Sequence, residues 1–97
     1  RAWTGYPAYT VSKAGLESLT RLLARNLAPA VRVNAVAPGL ILRSETVSEE
    51  EWERLARRIP LQQPGSLVSI TQAVLFLVEN EYITGQTIVV DGGYQLV

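Results

Sequence analysis

Apolar positions along the first third of the chain recur with a helical period. From Pro7 to about Leu27, Lys13, Leu16, Leu23 and Leu27 fall within about 40° of Tyr9 at roughly 100° per residue, whereas Glu17, Arg21 and Arg25 form a stripe turned away. Proline suits a first helical turn, where its missing N–H has no partner to lose. The pattern predicts a helix with Tyr9 and Lys13 facing inward. Val31 to Ala37 is small and β-branched, too short for a helix, and reads as a buried strand ended by Pro38-Gly39. Ser48 with Glu51 three residues later forms a capping box for a short acidic-to-basic helix ending near Ile59. Ser66 is the expected cap of a further helix to about Glu79, with Ile70, Ala73, Val74, Leu77 and Val78 at core spacing, and Thr87–Val90 is the last strand.

The predicted order is therefore helix-strand-helix-helix-strand, an α/β arrangement. An apolar strand, a helical crossover and a second apolar strand make a βαβ unit, which closes right-handed into a parallel sheet. Two strands are too few to support such a sheet with both faces covered, so a further strand from an upstream segment is expected beside the first. There are no internal repeats or interdomain linkers.

Composition narrows the chemistry. The 97 residues contain no histidine, cysteine or methionine. An imidazole base, a thiol nucleophile, a disulfide framework and the usual zinc ligand sets are thereby excluded, and no metal is expected. Nine basic residues balance nine acidic ones, eight of the basic residues being arginine and Lys13 the single lysine. That balance gives no electrostatic reason to expect nucleic acid or an anionic membrane as partner. At 47% hydrophobic and 19% charged the chain is too apolar for disorder, yet it has no run near the ~18 apolar residues of a membrane span. The length fits one domain at most. The chain starts at Arg1, so an upstream part is expected to be missing, and a cytoplasmic location is the default expectation.

In "PAYTVSKAG", Tyr9 and Lys13 stand at i and i+4 on one helical face. A phenol titrates near pH 10 when unperturbed, and an adjacent ammonium favours its phenolate, bringing it toward use as a proton shuttle at neutral pH. Taken alone, the spacing favours an accidental pair, with Tyr9 half-buried and Lys13 reaching to solvent. It is followed by "VRVNAVAPGLI" and then "YITGQTIVVDGG". Together these blocks resemble the carboxy-terminal portion of a short-chain dehydrogenase/reductase, over essentially the whole chain.

The resemblance implies the carboxy-terminal part of a single NAD(P)-binding domain, a Rossmann-type doubly wound parallel sheet, spanning residues 1–97. It implies that Tyr9 is the catalytic tyrosine and Lys13 its partner, and that both are also cofactor-binding residues, Lys13 on the nicotinamide ribose. Pro38, Gly39, Leu40 and Ile41 match the loop lying along the nicotinamide, where backbone must come close. A simple strand terminator is the competing reading of Pro38-Gly39. Asp91-Gly92-Gly93 is expected as a tight structural turn, and Asn34 as a hydrogen-bonder rather than a reactant. The family's glycine-rich pyrophosphate turn has no counterpart among the seven glycines, and its catalytic serine or aspartate lies farther upstream than this chain reaches. Arg43 stands where many members have threonine, and Gln62-Gln63 and Leu67-Val68-Ser69 replace more usual residues.

Within the family, "PGLIL", the acidic helix with Trp52 and the ending Asp91-Gly92-Gly93-Tyr94-Gln95-Leu96 are similar to pteridine reductases, which use NADPH on pterins and folates. The expected cofactor is NADP, with NAD as the alternative, and the expected partners are a small-molecule substrate and further copies of the subunit in a dimer or homotetramer. The alternatives are a carbonyl reductase, such as a 3-oxoacyl-carrier-protein reductase or a sugar or alcohol dehydrogenase, and a non-catalytic fragment.

Overall fold

The computed structural model describes residues 5–39 and 46–97, with side chains of the first helix described from Lys13 onward. Its elements are α1 (Gly5–Leu27), β1 (Ala35–Pro38), α2 (Glu49–Arg58), α3 (Leu67–Glu79), β2 (Thr87–Val90) and a closing 3-10 helix, Tyr94–Leu96. The expected order is present, with the 3-10 turn added to it.

β1 and β2 form a two-stranded sheet. The Ala35 N–H donates to the Gln86 carbonyl (2.9 Å) and the Gly39 N–H to the Val90 carbonyl (3.0 Å), so partners advance in the same direction and the pair is parallel. The connection between the strands contains α2 and α3. β1 begins at Ala35, not at Val31 as the apolar run predicted. The backbone before it is satisfied in other ways: the Val31 N–H returns to the Leu27 carbonyl (3.0 Å), and the Val33 N–H donates to Thr84 Oγ1 (3.0 Å).

The chain divides into two compact units, residues 1–35 with 77–88 and residues 36–76 with 89–97. In the first, α1 buries Thr20 and Ala24, and the Thr20 hydroxyl is satisfied by donation to the Leu16 carbonyl (2.7 Å). The packed line lies to one side of the predicted face: Thr20 falls about 20° and Ala24 about 60° from Tyr9 at roughly 100° per residue, and Lys13 is half-buried as expected. Leu16, Leu23 and Leu27 are exposed, while Glu17, expected to point away, is half-buried beside Lys13. Small side chains at 20 and 24 define the packed line because they admit close approach: Ala24 Cβ lies 3.5 Å from where a side chain on Gly85 would begin.

Two side chains lace this unit together. Asn34 Nδ2 donates to the Ile83 carbonyl (2.9 Å) while its Oδ1 accepts from the Gln86 N–H (3.0 Å), bracketing the segment that leads into β2. The Arg32 guanidinium donates to the carbonyls of Leu77 (2.8 Å), Val78 (3.0 Å) and Asn80 (2.7 Å), at the carboxyl end of α3. A cation there meets the negative end of the helix dipole and carbonyls that have no helical partner. Gly85, at φ +78°, completes the bracket by donating to the Val33 carbonyl (2.8 Å).

In the second unit, Ser48 caps α2 as expected, its hydroxyl accepting from the Glu51 N–H (3.1 Å). Glu49, Glu50 and Glu51 open the helix and Arg57 and Arg58 close it, the arrangement favoured by the dipole. Ala56 and Ile59 are buried. The Ser66 hydroxyl accepts from the Ser69 N–H (3.3 Å) at the start of α3, whose first turn has no acidic residue. Along α3, Leu77 is buried and Ile70 and Ala73 are half-buried, but Val74 and Val78, placed in the core by their spacing, are exposed. No helix among the described residues is long and apolar enough to cross a membrane.

Replacing Asn34 by alanine removes a donor and an acceptor that are both engaged. The expected loss is about 1–3 kcal/mol, seen as a lower urea midpoint with an unchanged slope; an unaltered midpoint would show that the bracket is dispensable.

Candidate active site

The spacing of the Tyr9–Lys13 pair is helical as predicted, since both lie within α1. Tyr9's side chain is outside the described set, and so are Leu40, Ile41 and Arg43. Lys13 is described: its side chain is 20% exposed and its Nζ donates to Glu17 Oε1 at 2.9 Å. An ammonium has three N–H donors, so this bond leaves capacity for two more. The order of the pair is informative. A lysine four residues before a glutamate opposes the helix dipole and is the weaker arrangement, so the contact contributes little to helix stability. What it does is hold the ammonium on the α1 face shared with Thr20 and Ala24. Glu17 was missed from sequence because it was assigned to the outward stripe, although its i+4 spacing from Lys13 was visible.

Pro38 and Gly39 lie at the carboxyl end of β1, Pro38 exposed and Gly39 half-buried. Ligands of open parallel α/β sheets bind outside the carboxyl ends of strands, so the position suits a cofactor loop. Gly39 has a specific reason to be glycine. A Cβ built there would fall 2.5 Å from Asp91 Cβ and 2.8 Å from Asp91 Cα, with its φ outside the left-handed region. The constraint is a close approach of two chain segments, not an unusual backbone conformation.

Asp91-Gly92-Gly93 forms a turn, as expected. Gly92 and Gly93 are left-handed at φ +63° and +94°, and the Asp91 carboxylate accepts from the Gly93 N–H (2.8 Å, Oδ1) and the Gln95 N–H (3.0 Å, Oδ2). Asn34 is a hydrogen-bonder, as expected, and Thr84 works beside it. Among the described residues no group of His, Cys, Asp and Glu could hold a metal ion.

Comparison with known proteins agrees with this picture. The sequence profile of the family described as enoyl-(acyl carrier protein) reductase matches residues 1–95. The chain is 50% identical over 93 residues to carbonyl reductase family member 4 of Danio rerio, covering 95% of this chain and 39% of that protein. It is 43% identical over 95 residues to the 3-oxoacyl-[acyl-carrier-protein] reductase of Homo sapiens, covering 97% of this chain and 40% of the relative. Among solved structures it is similar to FolM alternative dihydrofolate reductase 1 from Brucella suis in complex with NADP, with a TM-score of 0.83 and 46% identity over 92% of this chain and 36% of the other. The chain belongs to the short-chain dehydrogenase/reductase family, and its parallel α/β architecture is that of Rossmann-fold members. It spans about two-fifths of the length of the curated relatives it matches.

Two glycine substitutions should separate in sign. Gly39→Ala is expected to cost about 1–3 kcal/mol by forcing β1 and the Asp91 turn apart. Gly15→Ala, in α1 with nothing within 4 Å of its added carbon, is expected to stabilise by about 0.5–1 kcal/mol through helix propensity. Chemical denaturation of both variants checks the pair; equal effects would refute the assigned crowding at Gly39.

Proposed function

We propose that residues 1–97 form the carboxy-terminal part of an NADPH-dependent reductase whose substrate is a pterin or folate ring. The observation that carries the reading is a side-chain-free residue, Gly39, at the carboxyl end of a parallel strand, in a chain whose first helix sets Tyr9 and Lys13 one turn apart. Similarity to an alternative dihydrofolate reductase in complex with NADP supports both the cofactor and the substrate class.

The residues present fit the nicotinamide half of the cofactor. Pro38-Gly39 would offer backbone groups to a carboxamide from the carboxyl end of a parallel strand, and the partly buried Lys13 ammonium would supply donors for ribose hydroxyls. Pro38 and Gly39, with Leu40 and Ile41 on the strength of the family resemblance, would hold that end. The pyrophosphate turn and the serine or aspartate partner of Tyr9 would come from an amino-terminal segment. NADPH, when bound, supplies the hydride. Tyr9 delivers a proton to a ring nitrogen of the substrate, and Lys13 favours the phenolate left behind, so the phenol can be used near neutral pH. Glu17 keeps the ammonium from turning outward.

A second reading is favoured by the relatives named carbonyl reductase and 3-oxoacyl-[acyl-carrier-protein] reductase: reduction of a carbonyl, with Tyr9 protonating the developing alkoxide. In either reading we place the enzyme in the cytoplasm as a homo-oligomer, dimer or tetramer. The apolar side chains of Leu19 and Leu22, 52% and 57% exposed on α1, support the oligomer.

The test is turnover by the full-length polypeptide containing these residues. NADPH oxidation is expected with dihydrobiopterin and not with an oxoacyl thioester. The opposite preference selects carbonyl reduction, and no oxidation with either substrate overturns both readings. Tyr9→Phe should lower kcat by about 10²–10⁴-fold while leaving NADPH affinity nearly unchanged.

A further inference from the structure

We propose that Asp91 is a positioning residue for the cofactor loop, fixing Gly39 through direct backbone contact. The inference rests on the reading of Pro38-Gly39 as that loop.

Gly39 donates its N–H to the Val90 carbonyl at 3.0 Å, so it pairs with the residue immediately before Asp91. It then meets Asp91 itself so closely that Asp91 Cβ occupies the space a side chain on Gly39 would need. A neighbour of this kind fixes a backbone only if it cannot itself move. Three hydrogen bonds restrain Asp91: Oδ1 accepts from the Gly93 N–H (2.8 Å), Oδ2 from the Gln95 N–H (3.0 Å), and its carbonyl from the Tyr94 N–H (3.0 Å). Both carboxylate oxygens are thus used on backbone within the same turn. Charge-assisted bonds of this type are stronger than neutral ones and geometrically demanding.

The turn is held in place in its own right. The Gly92 carbonyl accepts from the Leu61 N–H at 3.0 Å. Added carbons on Gly92 and Gly93 would strike Ile59 Cγ2 at 2.9 Å and Pro60 Cγ at 2.8 Å. Ile59, 1% exposed, is the most buried large side chain described. A continuous set of contacts therefore runs from the end of α2 through residues 91–93 to Gly39, all within one compact unit. The Gly39–Val90 bond sets Gly39 opposite Asp91 in the parallel register, so the two meet by pairing, but the turn brings Asp91 closer than pairing requires. It leaves no room at Gly39 for a side chain.

The experiment is NADPH titration of the full-length protein and its variants, well below their unfolding temperatures. Asp91→Ala keeps Cβ but frees it from both carboxylate bonds, and is expected to raise the NADPH Kd about tenfold. Asp91→Asn keeps an acceptor for the Gly93 N–H and should recover part of that loss; if the alanine variant does not fold, the asparagine variant carries the test, with a weakened Kd expected. Leu77→Ala, buried at the end of α3 in the other compact unit, lowers Tm without entering this set of contacts and should leave the Kd unchanged, separating positioning from general destabilisation. Combined with Gly39→Ala, Asp91→Ala should add less than its single effect, because both act on one contact. Native affinity in the folded Asp91 variants, or full additivity with Gly39→Ala, overturns the inference and leaves the proposed function standing. Absence of NADPH binding by the native full-length protein overturns both.

Discussion

The parallel register between β1 and β2 is the constraint on which the described structure depends. Each strand has four residues, and parallel ladders are slightly weaker per residue than antiparallel ones, so backbone bonds alone hold the pair marginally. Register is fixed at the two ends instead. Before β1 and β2, Asn34 and Thr84 bind backbone across the pair; after them, Gly39 bonds Val90 and abuts Asp91. A slip of one residue would leave both Asn34 groups unpaired and drive Gly39's neighbours into Asp91. Engaged polar groups cost more to orphan than they contribute when made, so such locks enforce register beyond their number.

Local signals in the sequence were reliable where the physics is local. The Ser48 cap, the break at Pro64-Gly65 and the β-branched run Thr87–Val90 each depend on a few adjacent residues, and each appears where expected. Failures arose where the outcome depends on a distant partner. Val31–Asn34 has strand composition, but its backbone bonds go to α1's last turn, to Thr84 Oγ1 and to the N–H of left-handed Gly85, and the strand begins only at Ala35. On α1, leucines at 16, 19, 22, 23 and 27 form a band wider than one packed face can cover, and a periodicity argument weights size. The small residues Thr20 and Ala24 occupy the packed line, and the leucines flank it.

The candidate site divides in the same way. Tyr9 and Lys13 could be read directly, because an i, i+4 relation is fixed by the helix that contains them. Pro38-Gly39 could be recognised as a block, but the reason for its glycine could not. That reason is Asp91, more than fifty residues later, and no pattern within either segment announces the contact. The same holds for Arg32, whose three carbonyl partners are at the end of α3.

The two kinds of site residue also divide the chemistry. In the proposed mechanism Tyr9 and Lys13 would act through side chains on one helix, where a change of residue type would change proton delivery directly. Gly39 acts through what it lacks, and its contribution is a backbone position that other residues must hold. The Pro-Gly and Asp-Gly-Gly blocks therefore work as one structural element, although half a chain separates them. Glycine at 39 permits the approach, the Asp91 carboxylate makes its neighbour immovable, and left-handed Gly92 and Gly93 carry the turn back against Ile59 and Pro60. Substrate choice does not enter this chain of contacts, so one arrangement can serve a pterin reductase and a carbonyl reductase alike.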